Sequence, residues 1–244
     1  MKKMTVLVGA LLIMTILHAQ NQKSKMELGV QFAGIGVSAE NNSSVTDGGE
    51  IYDFKTRLSW KGGITSKFYL GSSFYFAPEF SVLSKGGKID QYYDYGDGTN
   101  IKVKGNARFT FLEMPLNLMA VIPGNMGHFY IGMGPSLSYG VDGRIHLKAM
   151  VPVDNGNGVP VYVEAAETFD VKFDGKKADE VDDEYVHYKA FELGGNLVTG
   201  YQLQSGLFVK AMANYSFSDI DPNAGYETKN WYFGLGLGYN LKLK

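Results

Sequence analysis

Few side chains in this chain have the types and spacing that chemistry requires. Beyond the N-terminal segment it carries three histidines, His128, His146 and His187, and it has no cysteine. A cysteine nucleophile, a disulfide scaffold and a thiolate zinc site are therefore excluded. His146 and His187 fall near Asp142, Asp182, Asp183 and Glu184 in the sequence, the residue types of a base and its orienting acid. A serine–histidine–acid site also needs a positioned nucleophile, and no serine here stands in a motif that predicts one. We expect no catalytic activity, no metal site and no cofactor. Asp90 to Asn100 mixes oxygen ligands with Gly96 and Gly98, yet the EF-hand spacing and its closing glutamate are missing. Its tyrosines Tyr92, Tyr93 and Tyr95 better suit a contact surface for a glycan or a protein, because Tyr offers rigid amphipathic area at low entropic cost. Asp179 to Glu184 holds five acids in six positions and reads as a solvated acidic face.

A second set of charges lies inside segments that are otherwise apolar and glycine-rich: Lys61, Lys67, Glu79, Glu113, Glu192 and Lys210. What these can do depends on the elements that carry them. From Trp231 onward, Trp231, Phe233, Leu235, Leu237, Tyr239 and Leu241 alternate with Tyr232, Gly234, Gly236, Gly238 and Asn240. Strict period two marks a strand with two unlike faces. The same register recurs from Phe191 to Tyr201, from Leu207 to Tyr215 and from His128 to Val141, and less cleanly over Glu27 to Ser38, Leu58 to Leu70, Phe74 to Ser84 and Arg108 to Ile122. These are eight strands.

The chain has 244 residues, 45% apolar and 14% aromatic, with 31 glycines and a net charge of −2. No bulk positive field is available to hold a nucleic acid by counterion release. Lys2 and Lys3, the apolar run Met4 to Leu17 and then His18-Ala19-Gln20 read as a secretion signal over residues 1–19. The apolar run is too short to cross a ~30 Å hydrocarbon core as a helix. Residues 20–244 then form one domain outside the cytoplasm. A soluble barrel would place its apolar side chains inside, whereas here glycine and polar residues form the narrow face, as in a membrane barrel. Loop lengths agree, because connections after odd strands are long and those at Gly71 to Ser73, Pro123 to Gly127 and Gln202 to Ser205 are short, the extracellular and periplasmic pattern of outer-membrane barrels. Aromatics at strand ends sort into two belts, Tyr139, Tyr215 and Trp231 outside, Phe129, Tyr201 and Tyr239 inside. The sequence predicts an all-β, eight-stranded antiparallel up-and-down transmembrane β-barrel with long extracellular loops and short periplasmic turns.

An eight-stranded barrel leaves an interior that side chains can fill. The six inward charges, three of each sign, are accordingly expected to pair across the lumen as a structural cluster. Val151 to Val163, with Asp154-Asn155-Gly156-Asn157-Gly158 between two β-type runs, predicts a hairpin projecting beyond the membrane.

The run Phe76-Ala77-Pro78-Glu79-Phe80-Ser81-Val82-Leu83-Ser84-Lys85-Gly86-Gly87, with Phe111-Leu112-Glu113-Met114-Pro115-Leu116 and Ile131-Gly132-Met133-Gly134-Pro135, resembles the PorT-like outer-membrane β-barrel family of Bacteroidetes. The resemblance implies the barrel fold and an outer-membrane location over the whole mature chain. Because some members look like accessory parts of secretion and gliding machinery, it also implies such machinery as a candidate partner. The expected role is non-enzymatic, with the barrel monomeric in outer-membrane lipid and its outer loops, chiefly Asp142 to Tyr188, contacting surface or secretion proteins. An accessory secretion subunit and, less favoured, a narrow ion-conducting channel are the alternatives.

Overall fold

The computed structural model describes residues 26–43, 54–94, 100–154, 160–177 and 184–243. The expected secretion signal, residues 95–99 and 155–159, and all of the acidic run but Glu184 lie outside the described residues. Strands are β1 (Met26–Ser43), β2 (Phe54–Lys55), β3 (Arg57–Gly71), β4 (Phe74–Lys85), β5 (Lys88–Asp94) and β6 (Asn100–Pro123), then β7 (Gly127–Asp154), β8 (Pro160–Lys172), β9 (Val186–His187), β10 (Phe191–Leu203), β11 (Leu207–Ser216) and β12 (Tyr226–Leu243). Eight of them, β1, β3, β4, β6, β7, β10, β11 and β12, hydrogen-bond in that order. Pairing of β12 with β1 closes the ring, and every neighbouring pair is antiparallel. Closure leaves the ring without an edge strand, as a structure surrounded by lipid requires.

The facing follows from period two. On β12, Phe233, Leu235 and Leu237 are 54%, 73% and 60% exposed, while Tyr232 before them and Asn240 beyond them, on the opposite parity, are buried. An apolar band this open on the outer wall is a lipid face. The periplasmic turns are tight. Gly71 and Ser72 turn β3 into β4 with φ of 124° and 53°, and Gly206 closes β10 to β11 at 101°, left-handed values that the two glycines adopt without steric cost.

The opposite ends are not plain loops. β6 and β7 run on past the ring together, from Thr110 opposite Asp142 to Lys102 opposite Met150. A register shift at Thr110/Phe111 marks where they leave it. β5 pairs with β6, β2 with β5, β8 with β7, and β9 lies parallel to β8. The long connections after the third and fifth segments of the sequence are therefore largely a sheet: much of the stretch read as a loop from Asp142 to Tyr188 is β-strand, continuing the barrel wall.

Candidate functional site

The described site is the filled interior of the barrel together with the sheet above it. Inward positions on β3, β4, β6, β10 and β11 bring the expected charges together. Lys61 Nζ lies 2.5 Å from Glu113 Oε1, and Lys210 Nζ lies 2.6 Å from Glu79 Oε1. Glu192 and Lys67 take partners absent from the sequence-derived set. Lys85 donates to Glu192 and lies 3.5 Å from Glu113, while Lys67 lies 3.8 Å from Glu27. Among the described residues the ion-paired set is thus four of each sign, with Lys85 and Glu27 added, while the buried Arg57 donates instead to Ser84 and to the Lys85 carbonyl.

Hydrogen bonds complete two layers. In the upper one, Tyr232 donates to Glu113 at 2.6 Å and accepts from Lys61 at 2.8 Å, and Asn230 donates to Glu192 at 2.8 Å. In the lower one, Lys67 donates to Gln202 at 2.6 Å, Gln202 donates to Glu27 at 2.9 Å, and Asn240 donates to Gln202 at 2.8 Å. Gln31 donates to Glu79 at 2.8 Å. Lys67 also lies 4.6 Å from the Tyr130 ring centroid. Burying a charge is tolerable only when it is paired and hydrogen-bonded, and each of these carboxylates has both. A cavity of about 20 Å³ between Lys67, Glu79, Tyr130 and Lys210 is no larger than about one water.

Above the charged layers the inward face changes character. Val37, Phe109, Phe111, Ile220 and Tyr188 are buried in one apolar cluster, with Phe173 packed against it. Phe173 meets Phe111 edge-on at 5.4 Å and Phe109 at 6.1 Å between ring centroids. Gly140 permits this, since a Cβ there would stand 2.4 Å from the Phe173 ring. Tyr188 and Lys189, just before β10, are tied at the outer mouth by backbone bonds from the Tyr188 amide to Lys172 and from the Lys189 amide to Ile220. His187 Nδ1 sits 2.7 Å from Asp174, outside the membrane. Burial raises the Asp174 carboxyl, but the His187 hydrogen bond, the Lys176 amide and their charges outweigh it, and the carboxyl ends below its ordinary value.

The histidines do not converge. His146 bonds Thr168 at 2.8 Å on the extracellular sheet, and His128 lies by Tyr130 at the other end of the barrel. The partner of His187 is Asp174, which the sequence reading did not name. Among the described residues no group of three or more His, Asp or Glu is placed to hold a metal ion. The six belt aromatics all sit on outward positions. Tyr215 opposes Trp231 and Tyr139 opposes Phe191 at the outer level, and Tyr201 opposes Phe129 and Tyr239 opposes Leu207 at the inner level. Tyr215 also donates to Glu40 at 3.0 Å.

A family model described as outer membrane protein beta-barrel domain matches residues 18–222. No curated protein sequence matches the chain. Among solved structures, OprG from Pseudomonas aeruginosa is similar at 15% identity over 90% of this chain and 98% of that one, with a TM-score of 0.45. Ail of Yersinia pestis, solved in complex with the heparin analogue sucrose octasulfate, is similar at 10% identity over 90% and 100%, with a TM-score of 0.38. The outer membrane protease OmpT from Escherichia coli is similar at 9% identity over 90% and 97%, with a TM-score of 0.37. None of these carries a residue role over to this chain.

Proposed function

The chain belongs to the outer membrane protein beta-barrel domain family, and on that premise we propose that it is a non-enzymatic, sealed barrel of the cell outer membrane that acts through the sheet it holds outside the cell. One observation carries this reading: the interior is occupied along its length, by ion-paired layers below and an apolar cluster above, while β6 and β7 continue outward as a broad paired surface. A filled lumen offers no route for solute, so the exposed sheet is the part free to meet partners. Binding surfaces are commonly carried in this way on rigid scaffolds.

The test is to remove 91–103 and 149–165, close each arm with a short turn, and compare surface cross-linking with the full chain. The trimmed protein keeps Ile89, Gly105 and Leu147 and is expected to fold as a barrel, seen as heat-sensitive electrophoretic mobility, while losing its extracellular cross-links. Unchanged cross-links through the membrane wall would contradict the reading.

A finer reading is an accessory subunit of a secretion or surface-assembly machine. It is supported by the PorT-like motifs around Pro78-Glu79, Lys85-Gly86-Gly87 and Gly134-Pro135. Purification through a tag at Asn155-Gly156, which lies outside the described residues, separates the two: stoichiometric machinery proteins favour the subunit, and a lone barrel favours the stand-alone role.

A further inference from the structure

The extracellular sheet has two unlike faces. One carries Phe54, Ile89, Gly105 and Leu147 in register and packs toward the apolar cluster. The other continues the outward, lipid-facing side of β6 and β7, and it is basic. Successive rows set Arg108 opposite Arg144, Lys55 opposite Lys88, and Lys104 opposite Lys148, with Lys102 one row further out. Across these rows seven cations face three carboxylates, Asp90, Glu164 and Asp170, with a fourth, Asp142, one row nearer the membrane.

The three carboxylates are already engaged. Lys55 pairs with Asp90 at 2.8 Å, Arg144 with Asp170 at 2.8 Å and Lys148 with Glu164 at 2.7 Å. Among the described residues Lys88, Lys102, Lys104 and Arg108 have no ion pair of their own, Lys102 and Lys104 feeling only the charge of Asp90, which Lys55 already holds, and all four are exposed. Three of them, Lys102, Lys104 and Arg108, share one face of β6, with Asn106 between the last two. Like charges on neighbouring sheet positions repel, so this face lacks an anion that would neutralise it. A groove of about 490 Å³ runs between Lys55, Lys88, Lys104 and Lys148. The whole chain has a net charge of −2, so the positive stripe is a local feature.

Position and direction identify the anion. Arg144 lies five residues beyond Tyr139 of the outer aromatic belt and Met150 eleven beyond it on the same strand, roughly 17 to 36 Å along it. With a ~45° tilt this is about 12 to 25 Å above the belt. The stripe therefore stands above the hydrocarbon. It looks sideways along the membrane plane, over the same wall that carries lipid-exposed Leu118 and Met133. We infer that this face binds the phosphate-bearing sugar headgroups of outer-leaflet glycolipid, with Lys88, Lys102, Lys104 and Arg108 as the anion contacts. Their flexible stems suit a ligand whose anionic groups are spread over several sugars.

This rests on the reading of the extracellular sheet as an interaction surface, and its test fails separately. Full-length protein is reconstituted in nanodiscs containing lipopolysaccharide, either phosphorylated or enzymatically dephosphorylated, and the glycolipid copies retained through purification are counted by mass. The wild type is expected to retain the phosphorylated form. Retention should fall at least ten-fold in Lys88→Glu/Lys104→Glu and at ~0.5 M salt, where screening shortens the reach of surface charge. The charge-matched pair Lys176→Glu/Lys242→Glu, away from the stripe, should retain it. Folding of each variant is checked by heat-modified mobility, which exposed substitutions of this kind should leave intact. Equal retention by the stripe variant, or equal retention of the dephosphorylated lipid, overturns the inference. So does capture of a soluble acidic oligosaccharide with no glycolipid retained, which would assign the face to a free saccharide. If the trimmed barrel loses its cross-links while charge reversal leaves retention unchanged, the interaction reading stands and only this inference is lost.

Discussion

The two halves of the barrel interior are filled by opposite means. Toward the periplasm, Lys67, Glu27, Lys210, Glu79, Lys61 and Glu113 are buried as partnered charges. Toward the outside, Phe109, Phe111, Phe173 and Ile220 fill the same cylinder with apolar rings and branches. Both halves use the inward positions of the same strands. β6 passes from Phe109 and Phe111 to Glu113 and Asn117 without leaving the inward register. The difference lies in what each half requires to remain closed. A charged layer depends on every partner being present, since an uncompensated buried charge costs more than the pair contributes. An apolar cap depends on shape, and it tolerates loss of a contact better than loss of space.

The sharpest way to break this comparison is to remove the hub of the charged half. Glu113→Leu leaves Lys61 and Lys85 facing each other without their shared carboxylate, and it should destabilise the barrel by about 3–5 kcal/mol in lipid unfolding titrations. A change under ~1 kcal/mol would mean that these lysines reach water. Next comes the facing itself. Leu235, 73% exposed on the lipid wall, should cost about 2–4 kcal/mol as Leu235→Arg if it lies near the bilayer midplane, and a neutral result would reverse the inward assignment of both halves. On the apolar side, Gly140→Ala puts a methyl 2.4 Å from the Phe173 ring and should cost about 1–3 kcal/mol, with the Phe173 and Phe111 ring signals displaced in NMR spectra. The smallest effect is at the mouth. Because the folded Asp174 carboxyl lies below its ordinary value, its contribution is present above the unfolded pKa, ~3.9, and is lost as pH falls through the folded one. The protection factor of the Tyr188 amide, whose N–H bonds Lys172, should fall only in that acid range, and a pH-independent protection factor would remove Asp174 from the closure.

Much of this architecture is legible in the amino-acid sequence because period two is a short-range signal. The eight strands and the inward placement of Lys61, Lys67, Glu79, Glu113, Glu192 and Lys210 follow from alternation alone. Lys85 escaped because the third long segment was ended at Ser84, one residue short, although Leu83 and Lys85 share the parity of Glu79. Glu27 lay within a strand but was not counted among the inward charges. The apolar cap was missed for a physical reason: an aromatic on an alternating strand is equally consistent with a lipid face, and only the shift at Thr110/Phe111 and the return of Phe173 and Tyr188 over the mouth place Phe109 and Phe111 inside. The extracellular sheet was seen in part. The hairpin around Val151 to Val163 was readable from its Asp-Asn-Gly run, whereas the pairing of β2 with β5 and of β9 with β8 depends on contacts between segments separated in the sequence.

The central claim is that the lumen is closed along its length, and planar-bilayer recording of the purified wild-type protein tests it most directly. The filled interior predicts no current steps under an applied voltage at any salt concentration. Discrete ohmic steps from the wild-type barrel would contradict it and would make the paired lysines and glutamates the lining of a conducting path.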